Sequence, residues 1–270
     1  MKRILVTGAG SYIGASFRTY MEQFGDDCQV DAVSLRDERW RGLDFSGYDA
    51  LLHTVGLAHV RETAENRPLY YAVNRDLAVE TARKARAEGV RQFVFLSSMS
   101  VYGMEEGAIT PDTVPRPTTS YGRSKLEAEE ALRALETQDF RVAVLRPPMV
   151  YGEGCKGNYR ALVRLAKILP ACPNYQNQRS VISIENLCAY IKQVIDSGAG
   201  GTFCPRDPEY ACTCQMICEI AGRNGREIVR TKLLNFVPAL LRKFTKKGRK
   251  AFGSLVYQDE SQCDYSGIRV

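Results

Sequence analysis

The sequence predicts an α/β protein: a doubly wound parallel sheet of the Rossmann type with a smaller carboxyl-terminal substrate lobe. Three observations carry this. Strand-like and helix-like segments alternate through the first 146 residues, the strands are near-continuous apolar runs, and a glycine-rich turn joins the first strand to the first helix. Strands buried on both faces lose the polar alternation of a half-exposed sheet, and alternation with helices is the mark of parallel crossovers.

KRILVT (2–7) is a short run ending at glycines, followed by helical periodicity from Tyr12 to about Phe24 and a second strand, VDAVSL (30–35). DALLHT (49–54) reads as the third strand, Leu69 to Glu88 as a long helix, and QFVFLSS (92–98) as the fourth strand. SKLEAEEALRAL (124–135) is helical and FRVAVLR (140–146) is the next strand. Beyond Arg146 the rhythm changes. PPMVYGEG (147–154) reads as a Pro/Gly loop, NYRALVRLAKIL (158–169) as a helix, RSVISI (179–184) as a short strand, NLCAYIKQVI (186–195) as a helix, and the remainder as irregular. No repeat or low-complexity linker divides the chain. It is therefore expected as one unit, with 1–148 and about 180–198 mainly dinucleotide-binding and about 149–179 and 199–270 forming the lobe.

The chain of 270 residues is 44% hydrophobic and 25% charged, which excludes disordered and fibrous classes. The apolar run after Met1 stops at Val6, too short for a signal sequence, and no later run has the length of a membrane span, so the expected location is the cytoplasm. Nine cysteines in such a chain read as reduced thiols used as small hydrophobes. Their one cluster, Cys204, Cys212, Cys214 and Cys218, contains no C-x-x-C pair and has no nearby histidine, so no metal site is expected. The net charge of +6 is matched by six residues in one stretch: Arg242, Lys243, Lys246, Lys247, Arg249 and Lys250. A local excess of this kind suits an anionic small molecule or a membrane surface; a nucleic-acid partner is not expected.

Two motifs carry chemistry. In TGAGSYIG (7–14) the glycines let the backbone approach a pyrophosphate while the free amides of the first helix face its charge. The second strand ends Ser34-Leu35-Arg36-Asp37, placing side by side a cation suited to the 2′-phosphate of NADP and an acid suited to the ribose hydroxyl of NAD. The second motif is Tyr121 and Lys125, four apart and therefore one turn apart on a single helix face. An ammonium beside a phenol is expected to lower its pKa from about 10, giving an acid/base tyrosine that exchanges a proton with a sugar or alcohol hydroxyl. FLSSMSVYG (95–103) brings serines to the end of the fourth strand, where Ser98 can hold the reacting oxygen and Ser97 and Ser100 compete for that role.

With TGAGSYIG, SSMSVYG and YGRSK in this order, the chain resembles the extended short-chain dehydrogenase/reductase superfamily, specifically its NAD-dependent epimerase/dehydratase family acting on nucleotide sugars. The resemblance implies a catalytic trio of Ser98, Tyr121 and Lys125, and a cofactor site formed by Gly8, Gly10, Ser11, Tyr12, Ile13, Gly14, Arg36, Thr54, Val55, Gly56, Asn74, Tyr121, Lys125 and Pro147. It implies substrate contacts from Ser98, Ser100, Tyr121, Asn158 and Arg179, the arginine toward a nucleotide-sugar diphosphate. His53 and His59 are then structural. Ser11 stands where the family's fingerprint has its second glycine, Arg36 stands near the usual acidic position, and Met99-Ser100 replaces the Asp-Glu pair of the family's 4,6-dehydratases, which argues against dehydration.

The implied activity is NAD-dependent epimerisation of a nucleotide sugar at C4 through a 4-keto intermediate. The alternatives are an NADPH-dependent 4-keto-sugar reductase, favoured by Arg36, and a non-catalytic NAD(P)-binding regulatory or scaffold protein. Family likeness further implies a homodimer through helices including 69–88 and 118–136. Residues 233–250 read first as a lobe helix with its apolar face in the core and a basic loop over a diphosphate, and second as a peripheral contact with anionic lipid.

Overall fold

The computed structural model describes residues 1–58 and 60–258. Strand β1 (Lys2–Thr7) turns through the glycine loop into helix α1 (Tyr12–Met21), then β2 (Cys28–Val33) and β3 (Ala50–His53) follow. Helix α2 (Arg67–Tyr71) continues through one π turn, Ala72–Asp76, into α3 (Leu77–Ala87), so the helix expected from Leu69 to Glu88 is continuous but locally widened. Next come β4 (Gln92–Leu96), β5 (Gly107–Ile109), α4 (Ser120–Arg133) and β6 (Arg141–Leu145).

The segment read as a Pro/Gly loop contains a strand, β7 (Met149–Tyr151), which pairs with β9 (Val181–Ser183). Between them lie α5 (Asn158–Ile168) and β8 (Ala171–Pro173); after them come α6 (Ile184–Ser197) and β10 (Gly201–Phe203). The chain then runs through α7 (Thr213–Arg223), β11 (Val229–Thr231), α8 (Phe236–Phe244), α9 (Lys246–Phe252) and β12 (Leu255–Tyr257). The stretch expected to be irregular is thus largely regular. Its short elements gain their hydrogen bonds from distant partners, β12 from β5 and β11 from β8, which no local pattern announces.

The main sheet has six parallel strands in the order β10-β6-β4-β3-β1-β2. Strand β10 lies within the 199–270 stretch expected as lobe, yet its pairing with β6 makes it a strand of the main sheet. Alternate residues of each strand point to opposite faces. Ile4, Val6, Leu52, Val94 and Leu145 meet Phe17 and Met21 of α1 and Leu187, Ile191 and Val194 of α6. Leu5, Leu51, Phe93, Phe95 and Val144 meet Ala78, Ala82 and Ala85 of α3 and Ala128 and Leu132 of α4. The doubly wound prediction holds. Order along the sheet reverses between β1 and β3, the place where such sheets open a crevice at their carboxyl ends.

The lobe has its own core of Tyr159, Leu162 and Ala166 from α5 and Ile217, Ile220 and Ala221 from α7. Cys172, Cys212 and Cys214 are buried in it, and the eight described cysteines are free thiols acting as small apolar side chains.

Candidate active site at the carboxyl ends of the strands

The glycine turn is built by steric exclusion. Gly8 has φ +97°, and a Cβ there would lie 2.8 Å from Thr54 Oγ1; one on Gly14 would lie 2.7 Å from Ser11 Oγ and 2.8 Å from Thr54 Oγ1. Nothing lies within 4 Å of the Cβ position of Gly10, so that side is open. Ser11, standing where the family's pattern has glycine, caps α1: its Oγ accepts from Gly14 N at 2.9 Å and contacts Thr54 Oγ1 at 2.6 Å. The substituted hydroxyl therefore faces the protein and binds the two sides of the crevice together. First-turn amides such as those of Tyr12 and Ile13 are not used by the helix itself, so the turn fits an anionic pyrophosphate. Gly14→Val should abolish dinucleotide retention while leaving α6 and the lobe folded; fluorescence titration with NADH and NADPH checks this.

On the other side, Thr54 Oγ1 donates to Thr7 O at 2.8 Å, and Asn74 holds Leu57 with both ends of its amide: Oδ1 accepts from Leu57 N at 2.7 Å and Nδ2 donates to Leu57 O at 3.2 Å. The same Nδ2 lies 3.0 Å from Ser124 Oγ on α4. The π turn is what carries Asn74 into this position, a local widening common at functional sites. A Cβ on Gly56 would meet Lys125 Nζ at 3.2 Å and Asn74 Oδ1 at 3.4 Å, so loop, helix and lysine converge.

Helix α4 begins at a Thr119 cap whose Oγ1 accepts from Gly122 N at 3.1 Å. Its first turn is held further by Glu62, which accepts from Ser120 N at 3.0 Å and Ser120 Oγ at 2.7 Å. Tyr121 is half-buried with its hydroxyl beside Ser98, whose Oγ donates to Ser100 Oγ at 3.2 Å. Ser97 is excluded from the contest among serines because it is buried and donates to Glu129 at 2.5 Å. Met99 N donates to Pro147 O at 2.9 Å, fixing the serine loop against the end of β6.

One electrostatic expectation is corrected. Burial pushes the Tyr121 phenol above its ordinary value and only the Ser98 hydrogen bond draws it back, so neighbouring lysine charge does not set its pKa here. Lys125 is desolvated by the same burial, down to about 7, against a raising effect of Glu129, and its ammonium donates to Leu96 O at 2.8 Å. The low-dielectric pocket that brings the pair together weakens the cation expected to stabilise phenolate. Tyr121 is the protonated partner at neutral pH.

Sequence reasoning missed Glu129 and Arg146. Glu129 is the next residue at the same spacing of four, after Tyr121 and Lys125, and is fully buried. It takes Arg146 NH2 at 2.5 Å, while Arg146 NH1 donates to Tyr102 OH at 2.9 Å and Arg146 O accepts from Tyr257 OH at 2.8 Å. This network ties the ends of β4 and β6, and β12, to the face of α4 that carries Tyr121 and Lys125. A cavity of about 450 Å³ bounded by Tyr102, Leu126, Arg133, Arg146 and Cys204 lies along a different face of α4 from Tyr121 and Lys125.

The remaining expected residues are more dispersed. Arg36 is exposed, whereas Asp37 is occupied in accepting from Arg39 N at 3.1 Å and pairing with Arg39 NH2 at 2.6 Å. Val55 is half-buried beside Gly8, Ile13 packs on the main core, and the Tyr12 hydroxyl donates to Glu153 O at 2.9 Å. Asn158 is exposed at the start of α5, and Arg179 NH1 donates to Gly253 O at 2.9 Å, close to Glu105 and Glu106.

His53 is wholly buried, with Nδ1 at 2.9 Å from Thr7 Oγ1 and its ring stacked near Phe93 and Phe95; His59 lies outside the described residues. Burial lowers the His53 pKa from 6.5 to about 3. Between those values the unfolded chain binds a proton that the folded chain refuses, so the His53 contribution to stability is full above pH 6.5 and is lost on acidification by about 1.4 kcal/mol per pH unit. Urea unfolding at pH 7 and pH 5 should show this loss, and His53→Phe should remove most of it.

The match to known proteins agrees with this geometry. Residues 4–172 match the model of the NAD dependent epimerase/dehydratase family. The chain belongs to that family. It is 32% identical over 249 residues to a UDP-glucose 4-epimerase of Vibrio cholerae, covering 82% of this chain and 75% of that protein. It is 27% identical over 175 residues to the N-acetyl-α-D-glucosaminyl-diphospho-ditrans,octacis-undecaprenol 4-epimerase of Escherichia coli O157:H7, covering 62% of this chain and about half (51%) of that relative. In fold, a dTDP-4-dehydrorhamnose reductase from Clostridium acetobutylicum superposes with a TM-score of 0.71 at 20% identity over 93% of this chain and 98% of that one.

Proposed function

We propose that this family member is an epimerase of a nucleotide sugar, acting at C4 through a transient 4-keto sugar with NAD retained in the crevice. The observation that carries the reading is the convergence of Ser98, Tyr121 and Lys125 at the strand ends beside a glycine turn open at Gly10. Bound there, the nicotinamide would accept a hydride and give it back. Gly8, Gly10, Gly14 and the first-turn amides would hold its pyrophosphate, Lys125 its ribose side, with Asn74 fixing the loop at Leu57 from behind, and Pro147 its nicotinamide side. For this direction the Tyr121 phenol must first lose its own proton, which the burial seen here opposes; the phenolate then takes the proton of the carbinol hydroxyl and later returns it, while Ser98 holds that oxygen by a hydrogen bond. Asn158 and Arg179 are the proposed contacts to the diphosphosugar. The Vibrio cholerae relative supports a UDP-hexose as substrate.

A second reading, an NADPH-dependent 4-keto-sugar reductase, is favoured by one observation: Arg36 is exposed while Asp37 is tied to Arg39. A protonated Tyr121 would then serve directly as the acid toward a ketone oxygen. Identification of the nicotinamide released on denaturation, followed by assay with UDP-glucose, separates the two. Interconversion without added cofactor supports the epimerase; stoichiometric NADPH oxidation with a keto sugar supports the reductase; neither activity sinks both. A homodimer through α3 and α4 belongs to the same proposal and is tested by sedimentation velocity.

A further inference from the structure

Helix α8 is inverted relative to an ordinary surface helix. Spacing of four places Phe236, Leu240 and Phe244 along one stripe, 65%, 55% and 68% exposed, and Leu233, in the 3-10 turn just before the helix, is 83% exposed. The opposite side holds the buried Pro238 and Arg242, whose guanidinium pairs with Glu106 at 2.9 Å and donates to Tyr175 OH at 2.5 Å. The expectation that this apolar face lies in the lobe core is therefore overturned: an ion pair and a phenol anchor the Arg242 and Pro238 side inward, and the stripe of Phe236, Leu240 and Phe244 faces out.

The stripe is fixed rather than loosely attached. Thr245 caps α9, accepting from Gly248 N at 2.8 Å, and a Cβ on Gly248 would fall 2.0 Å from Leu241 O, so α8 and α9 cross in backbone contact. Beside the stripe, Lys232, Lys243, Lys247 and Lys250 are exposed, and among the described residues none has a carboxylate within 4 Å; Lys246 reaches Glu105 at 3.6 Å but is still 58% exposed. A second copy docking the same face on itself would oppose lysine to lysine. An anionic lipid surface complements both parts, taking the phenylalanine and leucine side chains into its acyl boundary and the ammonium groups at its headgroups. No described helix is long and apolar enough to cross a membrane, so the contact is peripheral.

We propose that residues 232–250 form a docking surface for anionic lipid, held in the bilayer plane by α8 and flanked by the lysines of α9. This stands independently of the sugar chemistry. The test is flotation of the full chain with vesicles of phosphatidylcholine alone and of phosphatidylcholine with phosphatidylglycerol, at low and high salt. Binding to the anionic vesicles at low salt, weakened by salt and absent from phosphatidylcholine alone, is expected. Lys243→Glu with Lys247→Glu should lower partitioning by about 25-fold or more, and Phe236→Ser with Phe244→Ser by about a hundredfold, with circular dichroism unchanged because all four side chains are exposed. No binding at low salt overturns the proposal. So does binding that the double serine variant leaves intact, and so does reversible self-association that this variant abolishes without any vesicle binding.

Discussion

Tyr121→Phe should lower turnover by about 10²- to 10⁴-fold while leaving folding and dinucleotide binding nearly unchanged. In the proposed scheme the phenol is the proton-exchanging group beside Ser98, and phenylalanine keeps the ring while removing only the hydroxyl. Thermal unfolding within a few degrees of the parent, unaltered NADH quenching and lost interconversion of the sugar substrate would together assign the loss to proton transfer. Ser98→Ala should lose less, because Ser98 orients the oxygen without exchanging its proton in this scheme. A Tyr121→Phe variant with near-parental turnover would remove the acid/base role from this tyrosine.

Glu129→Gln is expected to have the largest effect on stability. It leaves Arg146, itself almost fully buried, without its counter-charge, a loss on the order of 3–5 kcal/mol. In a chain of this size that corresponds to a fall in Tm of about 5–10 °C. The amide keeps one acceptor oxygen where the carboxylate had two, so Ser97 and Arg146 must compete for it, and the serine loop carrying Ser98 should loosen and activity should fall. Glu129 also raises the pKa of Lys125 against desolvation, so the variant's lysine should deprotonate below the value of about 7 it has here, shifting the pH profile toward acid. Replacing both partners, Glu129→Leu with Arg146→Met, should recover much of the stability, since the cost lies in an unpaired buried charge rather than in loss of the pair. Additive losses from the two changes, measured by urea unfolding, would contradict this coupling.

Taken residue by residue, legibility followed the range of the interactions. The alternation of buried strands and amphipathic helices is a local periodicity, so the doubly wound sheet could be read directly from the sequence. The turn at Gly8 and Gly14 is readable because the glycines themselves sit where the first strand meets the first helix, although Thr54, which closes on both, comes from the far end of β3. Tyr121 and Lys125 were found by their spacing, and the same rule extended one step further would have reached Glu129. Arg146, by contrast, sits at a strand end with nothing nearby in sequence to mark it as the partner of a glutamate on a helix.

The sequence by itself determined the sheet, the phosphate-type turn and the helical face that carries the tyrosine and lysine, because each is announced by a residue pattern or periodicity within a few positions. Tertiary structure alone decided which serine meets Tyr121, how burial divides charge between Tyr121 and Lys125, and which way α8 faces. Those outcomes depend on desolvation and on partners far along the chain: Ser97 with Glu129, Lys125 with Leu96, Arg242 with Glu106. Amphipathicity identifies a helix with two unlike faces, but only the partner that binds one of them determines which face is left to the solvent.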